Sequence, residues 1–477
     1  MKATFKVLSD DERTRVHEES LNLLGKTGVR VDTALGRNIL KDAGAEVDAS
    51  SNIVRFPRQF VEDCLRMVPK EVTLGARKPG ADLPLNGEDC TLCLDGEGPF
   101  VLDRHSGKRR KATYNDWKEI TRVADALDEI GVYWCQVEAG NKGEKLGEAV
   151  QYLCDVQRYF TKHVQDTIFH PSHAPWLFEI LQIIHGSTAD IQKNHPMSTL
   201  VCPQSPLIID QEYTDAYLAL KGLNMPVGIM PMPLMGATAP ASMIATIVQG
   251  NCEVLSMLCL IQAHEPGVPV IYAPALALMD PRTGGLRNAG MQYAVMGAAA
   301  TEMARYYNLP AESCPGGSDA HQLDIQMGLE GAAMSLPTML SWPDIIVGPG
   351  MLDGSMVASL EQLVIEVEIF RLAKQAHRGV VTDQQNWLVD VIDDVGPGGH
   401  FLSESSTLSA IRSDEWYLSD LGFHGSFEDW LAQGEEPLAA TVNKKLDDIL
   451  ASHASLPLDE SVENELDKIC KRARACA

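Results

Sequence analysis

Several side chains able to do chemistry stand in glycine- and proline-rich stretches, where a backbone turns sharply. Asp280 opens Asp280-Pro281-Arg282-Thr283-Gly284-Gly285, and Asp319 and His321 lie in Gly316-Gly317-Ser318-Asp319-Ala320-His321. Carboxylates near an imidazole are the equipment of general acid–base catalysis, with or without a divalent metal. A lyase or hydrolase built on Asp280, Asp319 and His321 is therefore one reading. Glu138 ends the apolar run Val132–Val137, where an unpaired carboxylate is costly to bury without a use. His400 follows Gly396-Pro397-Gly398-Gly399. Other signals do not assemble. Cys90-x-x-Cys93 has zinc-like spacing but no second pair nearby, and His170-x-x-His173 brackets Pro171 and reads as a loop. The chain has no G-x-G-x-x-G and no G-x-x-x-x-G-K-[ST]. Neither a metal nor a nucleotide site is expected.

The elements that would carry these residues follow from periodicity. Short β-prone runs at Val132–Val137, Lys162–Phe169, Met197–Val201, Pro226–Met230, Val268–Tyr272, Leu309–Cys314 and Asp344–Val347 alternate with helical stretches, and a weaker eighth lies near His400–Leu402. Strands spaced about 30–55 residues apart in βαβα order imply a parallel sheet with right-handed crossovers. Eight such units predict an α/β fold, a (β/α)8 TIM barrel, with a doubly wound open sheet as the alternative. The barrel is expected over 129–430. An N-terminal extension of helices and a β-hairpin (Thr91–Asp103) is expected over 1–128, and a solvated C-terminal helical tail over 431–477. In a barrel, Glu138, Asp280, Arg282, Asp319 and His321 follow strands at the catalytic end, and His400 lies in the eighth region. Ser9 with Glu12 predicts a capping box at the first helix.

The 477 residues are 45% hydrophobic and 22% charged, which excludes disorder as the main description. Lys plus Arg total 40 against 65 Asp plus Glu, a formal charge of −25. That argues against a nucleic-acid or anionic-membrane coat. Eleven cysteines, most of them in apolar runs, and an N-terminus without an apolar h-region suggest a reduced, cytoplasmic setting. The apolar helices make a homo-oligomer the expectation. Lys108-Arg109-Arg110-Lys111 is a basic island, read as an exposed turn or as a dock for an acidic partner.

Six motifs in order carry a resemblance: GPFVLDRHSGKRRKAT at Gly98–Thr113, PMPLMGATAP at Pro231–Pro240, DPRTGG at Asp280–Gly285, GGSDAHQLDIQMGLE at Gly316–Glu330, SLEQLVIEVEI at Ser359–Ile369 and VGPGGHFL at Val395–Leu402. Together they resemble the trimethylamine methyltransferase superfamily, whose members are (β/α)8 barrels that move a methyl group from an amine to the Co(I) of a separate corrinoid protein. The founding branch carries pyrrolysine, which this sequence lacks, and the matching position falls at Ala320 or His321. The resemblance thus implies the non-pyrrolysine branch, which demethylates quaternary amines such as glycine betaine. It implies no tightly bound cofactor, since the corrinoid (cobalamin) comes with the partner protein, and a small quaternary amine as substrate. A quaternary ammonium leaves as a neutral tertiary amine, so attack by Co(I) needs positioning and desolvation more than acid–base help. Such a cation calls for aromatic faces or carboxylates. Glu138, Asp319 and His321 are the catalytic candidates. Trp134, sharing a strand face with Gln136 and Glu138 by alternation, is a binding candidate with Tyr272, Arg282 and His400; Arg282, His321 or His400 would take a betaine carboxylate.

Overall fold

A computed structural model of the chain describes residues 2–138, 145–315 and 317–476. Residues 139–144, which include the Ala139-Gly140-Asn141 stretch, and Gly316 fall outside the described residues. Eight parallel strands form the central sheet. In chain order they are β1 (Thr91–Cys93), β2 (Ile130–Tyr133), β3 (His163–Gln165), β4 (Met197–Val201), β5 (Val227–Ile229), β6 (Val270–Tyr272), β7 (Glu312–Ser313) and β8 (Ile345–Val347). Each pairs in parallel with its sequence neighbour, β8 pairs with β1, and a parallel bridge from Tyr272 to Ala311 joins β6 to β7. The ring is the expected barrel, but one strand is not where the sequence put it. The eighth partner is Thr91–Cys93 rather than His400–Leu402, so the barrel begins well before residue 129. Residues 400–402 form an exposed turn. The hairpin read over Thr91–Asp103 is also displaced: Phe100–Asp103 pairs with Lys108–Lys111, while Thr91–Cys93 runs between β2 and β8.

A helix follows every strand: Tyr114–Ala126, Leu146–Tyr159, Ala174–His185, Glu212–Leu218, Met243–His264, Met291–Tyr307, Ile325–Ser341 and Leu360–Arg378. The helix Met243–His264 is long and apolar enough to cross a membrane, yet 78% of its most apolar window is buried inside the fold. The first helix, Asp10–Lys26, packs beside it and starts with the predicted Ser9–Glu12 capping box. The C-terminal helices Leu438–Ser452 and Glu460–Ala475 are not the solvated tail expected. Val442, Leu446, Leu466 and Ile469 are buried in the outer core, and Arg158 binds Asp155, Glu463 and Asp467. Their charge-rich sequence hid a narrow apolar stripe.

Side-chain alternation divides the barrel strands into two faces. Cys93, Val132, Leu200, Ile271, Ile345 and Val347 share the inner cluster. Leu92, Ile130, Val227, Val270, Tyr272 and Ile346 belong to the layer between strands and helices. Leu74 and Leu83, from the small antiparallel pair Thr73–Leu74 and Leu83–Pro84, and the flanking Val72 and Leu85 join the inner cluster. Trp342, placed at the end opposite the catalytic loops by the strand that follows it, stacks on His377 at 3.5 Å between ring centroids.

Candidate active site

Two small sheets flank the C-terminal end of the barrel. One joins Leu234–Met235, Ala277–Met279 and Leu286–Arg287; the other joins Met351–Leu352, Val357–Ala358, Phe100–Asp103 and Lys108–Lys111. Between them opens a cavity of about 390 Å³, within the range of small-molecule sites. Its wall draws on the residues just past β1, β5, β6, β7 and β8: Asp95 and Gly96, Met230, Ala275, Cys314, and Val347 with Gly348. Met232, Leu234, Asn288, Tyr293 and Ser355 complete much of it. Asp95 is the one charged side chain among the described residues that line it, and neither lysine nor arginine is among them.

Asp95 sits where β1 gives way to the mouth loops. Its Oδ1 accepts from the Gly96 N–H at 2.8 Å and its Oδ2 from the Ser355 hydroxyl at 2.9 Å; Asn288 Nδ2 donates to that same hydroxyl oxygen at 2.9 Å. Burial raises the Asp95 carboxyl above its ordinary value, against the pull of these donors. Beneath the cavity lies a second buried carboxylate. Glu312, on β7, accepts at Oε2 from Gln165 Nε2 at 3.1 Å, and Gln165 Oε1 faces Cys93 Sγ at 3.9 Å. Burial pushes Glu312 up to about 7. Neither acid was named from the sequence. Asp95 hid because Thr91–Cys93 read as half of a hairpin. Glu312 sat inside a strand that was recognised, and counting alternate residues back from Cys314 would have turned it inward.

The candidates read from the sequence are dispersed. Trp134 follows β2 and packs against both the inner and the outer clusters. Glu138 is exposed, and its backbone N–H donates to Gly98 O at 3.1 Å. Tyr272 does not face the mouth. Its ring lies between strands and helices, and its hydroxyl donates to Asn251 Oδ1 at 3.0 Å. Arg282 is exposed and bound to Asp280, with Nε 3.0 Å from Oδ1; that guanidinium holds the Asp280 carboxyl well below the usual carboxylate range. Asp319 accepts the backbone N–H groups of Asn288 and Ala289 at 3.0 and 3.1 Å, so it ties down the loop that bears Asn288. His321 is exposed with Nδ1 2.9 Å from Asp353 Oδ1, and Ala320 is buried against the flanking sheet. His400 is exposed on the segment after Arg378. Because the helix Leu360–Arg378 runs antiparallel to the strands, that segment leaves from the far end of the barrel. Asp280, Asp319 and His321 each have a separate partner and do not converge. In the basic island Arg109 pairs with Asp353, and Arg110 with Asp103 and Asp116.

Comparison with known proteins agrees with this architecture. The model of the trimethylamine methyltransferase (MTTB) family matches residues 1–477. The chain belongs to that family. Among its curated relatives, the trimethylamine methyltransferase MttB of Desulfitobacterium hafniense (strain DSM 10664 / DCB-2) is 27% identical over 464 residues, 97% of this chain and 92% of the relative. The glycine betaine methyltransferase of D. hafniense (strain Y51) is 26% identical over 470 residues, 97% of this chain and 96% of the relative. Among solved structures, the monomethylamine methyltransferase MtmB of Methanosarcina barkeri superposes with a TM-score of 0.50 at 13% identity, covering 95% of this chain and 96% of that one. That likeness is one of fold. This member of the methyltransferase family therefore presents a barrel mouth that is mainly apolar, with one carboxylate among the described residues of its wall.

Proposed function

We propose that this methyltransferase demethylates a quaternary amine, glycine betaine or a related betaine, and passes the methyl group to the corrinoid of a separate protein. The observation that carries the reading is the cavity at the barrel mouth: an Asp95 carboxylate, a Tyr293 ring, methionine side chains and, among the described lining residues, no lysine or arginine. A quaternary ammonium has no N–H to donate. It is held by a carboxylate and polarisable or aromatic surface, and a basic residue would repel it. When present, the partner's Co(I) supplies the nucleophile. The C–N bond breaks with its electron pair remaining on nitrogen, so the leaving group is neutral and needs no proton. The work of this chain is thus to fix the ammonium beside Asp95 and keep water away from the methyl group that faces the opening. Trp134, which packs partly against the inner cluster, is the aromatic candidate from the sequence for this role. Asn288, whose loop is pinned by Asp319, supplies an uncharged donor for a betaine carboxylate. The eleven cysteines, all free, suit a cytoplasmic setting.

The test uses the purified chain, a reduced Co(I) corrinoid and a panel of mono- to quaternary amines. Consumption of Co(I), followed by its absorbance, is expected with betaines. D95N should lower kcat/KM for them by roughly 30-fold or more, because it removes the carboxylate at the cavity wall beside the cation. No turnover with any quaternary amine would refute the reading.

A further inference from the structure

Glu312 differs from Glu253 and Glu366, two other deeply buried carboxylates. Glu253 accepts from the Leu207 N–H and the Ser205 hydroxyl, and Glu366 accepts from the Gly350 N–H at 2.6 Å. Glu312 has Gln165 alone; its Oε1 is buried without a hydrogen-bond partner, and the residue is 1% exposed. An unsatisfied buried carboxylate oxygen costs stability unless something else uses it. The surroundings make room for it. Gly228, on β5, carries no side chain, and a β-carbon there would stand 3.2 Å from Glu312 Oε2. Cys314 and Met230, each two residues further along the same strand faces, line the cavity. Glu312 therefore lies one side-chain layer below the cavity, about 6–7 Å along the strand.

The titratable groups around it offer no permanent counter-charge. On the inward strand faces these are Cys93, His163, Cys202 and Cys314, with Asp95 at the cavity wall and Glu97 beyond it. Burial pushes the Cys93 and Cys314 thiols well up and Cys202 to about 12, so they stay neutral. His163, held between Gly75 O and the Ser198 hydroxyl, is pushed down to about 4 by burial and is also neutral. Asp95 and Glu97 are acids. Nothing among these groups supplies a positive charge.

We infer that the Glu312 carboxylate is the buried counter-charge for a ligand's permanent cation, and that it gives up its proton to solvent as the cation enters the cavity above it. This rests on the quaternary-amine reading and deepens it. With the site empty, Glu312 shares its interior with other acids and keeps its proton up to about pH 7. A fixed ammonium a layer away favours the carboxylate, the O–H bond breaks, and the proton leaves to bulk water. Because a cation enters as a proton leaves, the net charge of the barrel interior is the same in both states. A neutral ligand of the same shape gains nothing from this exchange, so Glu312 would select for charge where the cavity wall selects for shape.

Calorimetric titration of the full-length protein with glycine betaine and with tetramethylammonium, in phosphate and in Tris near pH 7, reads the proton directly. Wild type should release about half a proton per cation bound, rising toward one near pH 6 and vanishing above pH 8.5. E312Q should abolish the buffer dependence and weaken cation binding about tenfold, while leaving uncharged 3,3-dimethylbutanol unaffected. The pH series on wild type alone keeps the inference testable should E312Q not fold. Cation binding with no proton release, or with release undiminished in E312Q, overturns the role of Glu312 and leaves the quaternary-amine reading standing. Absence of cation binding to folded wild type overturns both.

Discussion

A carboxylate in a barrel interior has a cost that can be measured without a substrate. Glu312 titrates at about 7 in the folded chain against an ordinary value of 4.5. Between those values the native state keeps a proton that the unfolded chain has lost, so this group's contribution to stability falls as pH rises through that window and is level above it. E312Q removes the titration. It should match wild type at pH 4.5–5 and exceed it by on the order of 2 kcal/mol at pH 8, read by chemical denaturation at the two values. Equal stabilities at pH 8 would mean that Glu312 is solvated or paired in solution. Asp95 and Glu312 also mark where residue-level reading of the sequence stopped. Both stand in runs of ordinary strand and turn composition, and their importance comes from two faces of a barrel meeting. Glu138, Arg282 and His321 drew notice because charge near glycine is conspicuous. Such loops serve solvent and neighbouring loops as often as they serve a cavity.

At the level of elements, most of the barrel was legible. Seven of its strands and one helix after each follow from periodicity and from glycine and proline punctuation; the short helix Thr188–Asn194 does not. The misses among the strands share a cause. β1 is three residues long, Thr91–Cys93, and its partners are distant in sequence at Ile130–Tyr133 and Ile345–Val347, so only closure of the ring identifies it. Strand facing was equally hidden. In Val270-Ile271-Tyr272 every residue is apolar or aromatic, because both faces of a barrel strand are buried, and the pattern does not say which residue points in. Ile271 takes the inside and Tyr272 the outside. Y272F tests that assignment. Loss of the hydroxyl leaves the buried Asn251 Oδ1 without this donor and should cost about 1–2 kcal/mol of stability. Its kcat/KM for a betaine should stay within about twofold, since the ring fills the outer layer in either case. A large drop in kcat/KM without a change in stability would place Tyr272 at the substrate after all.

Across the whole molecule, apolar surface and net charge pull in opposite directions. The expected homo-oligomer was argued from apolar helices, but the most apolar of them, Met243–His264, spends that character on the chain's own core. Unspent apolar surface lies elsewhere, on the segment that follows the last barrel helix. Val380, Val389, Ile392, Leu402, Leu418 and Phe427 are all more than half exposed, Leu402 at 86%. A run of this kind is more than the scattered exposed side chains of an ordinary monomer. We propose that it meets a second copy of the chain. The formal charge of −25 opposes association of like chains, and salt screens that repulsion more than it weakens apolar contact. Light scattering at micromolar protein should therefore give at least twice the monomer mass, with the oligomer tightening between about 50 mM and 500 mM salt. The double variant L402D/F427D should shift the mass to that of the monomer while the circular dichroism spectrum is unchanged. A wild-type monomer at both salt concentrations would show that the segment covers itself in solution and that the active unit is a single barrel.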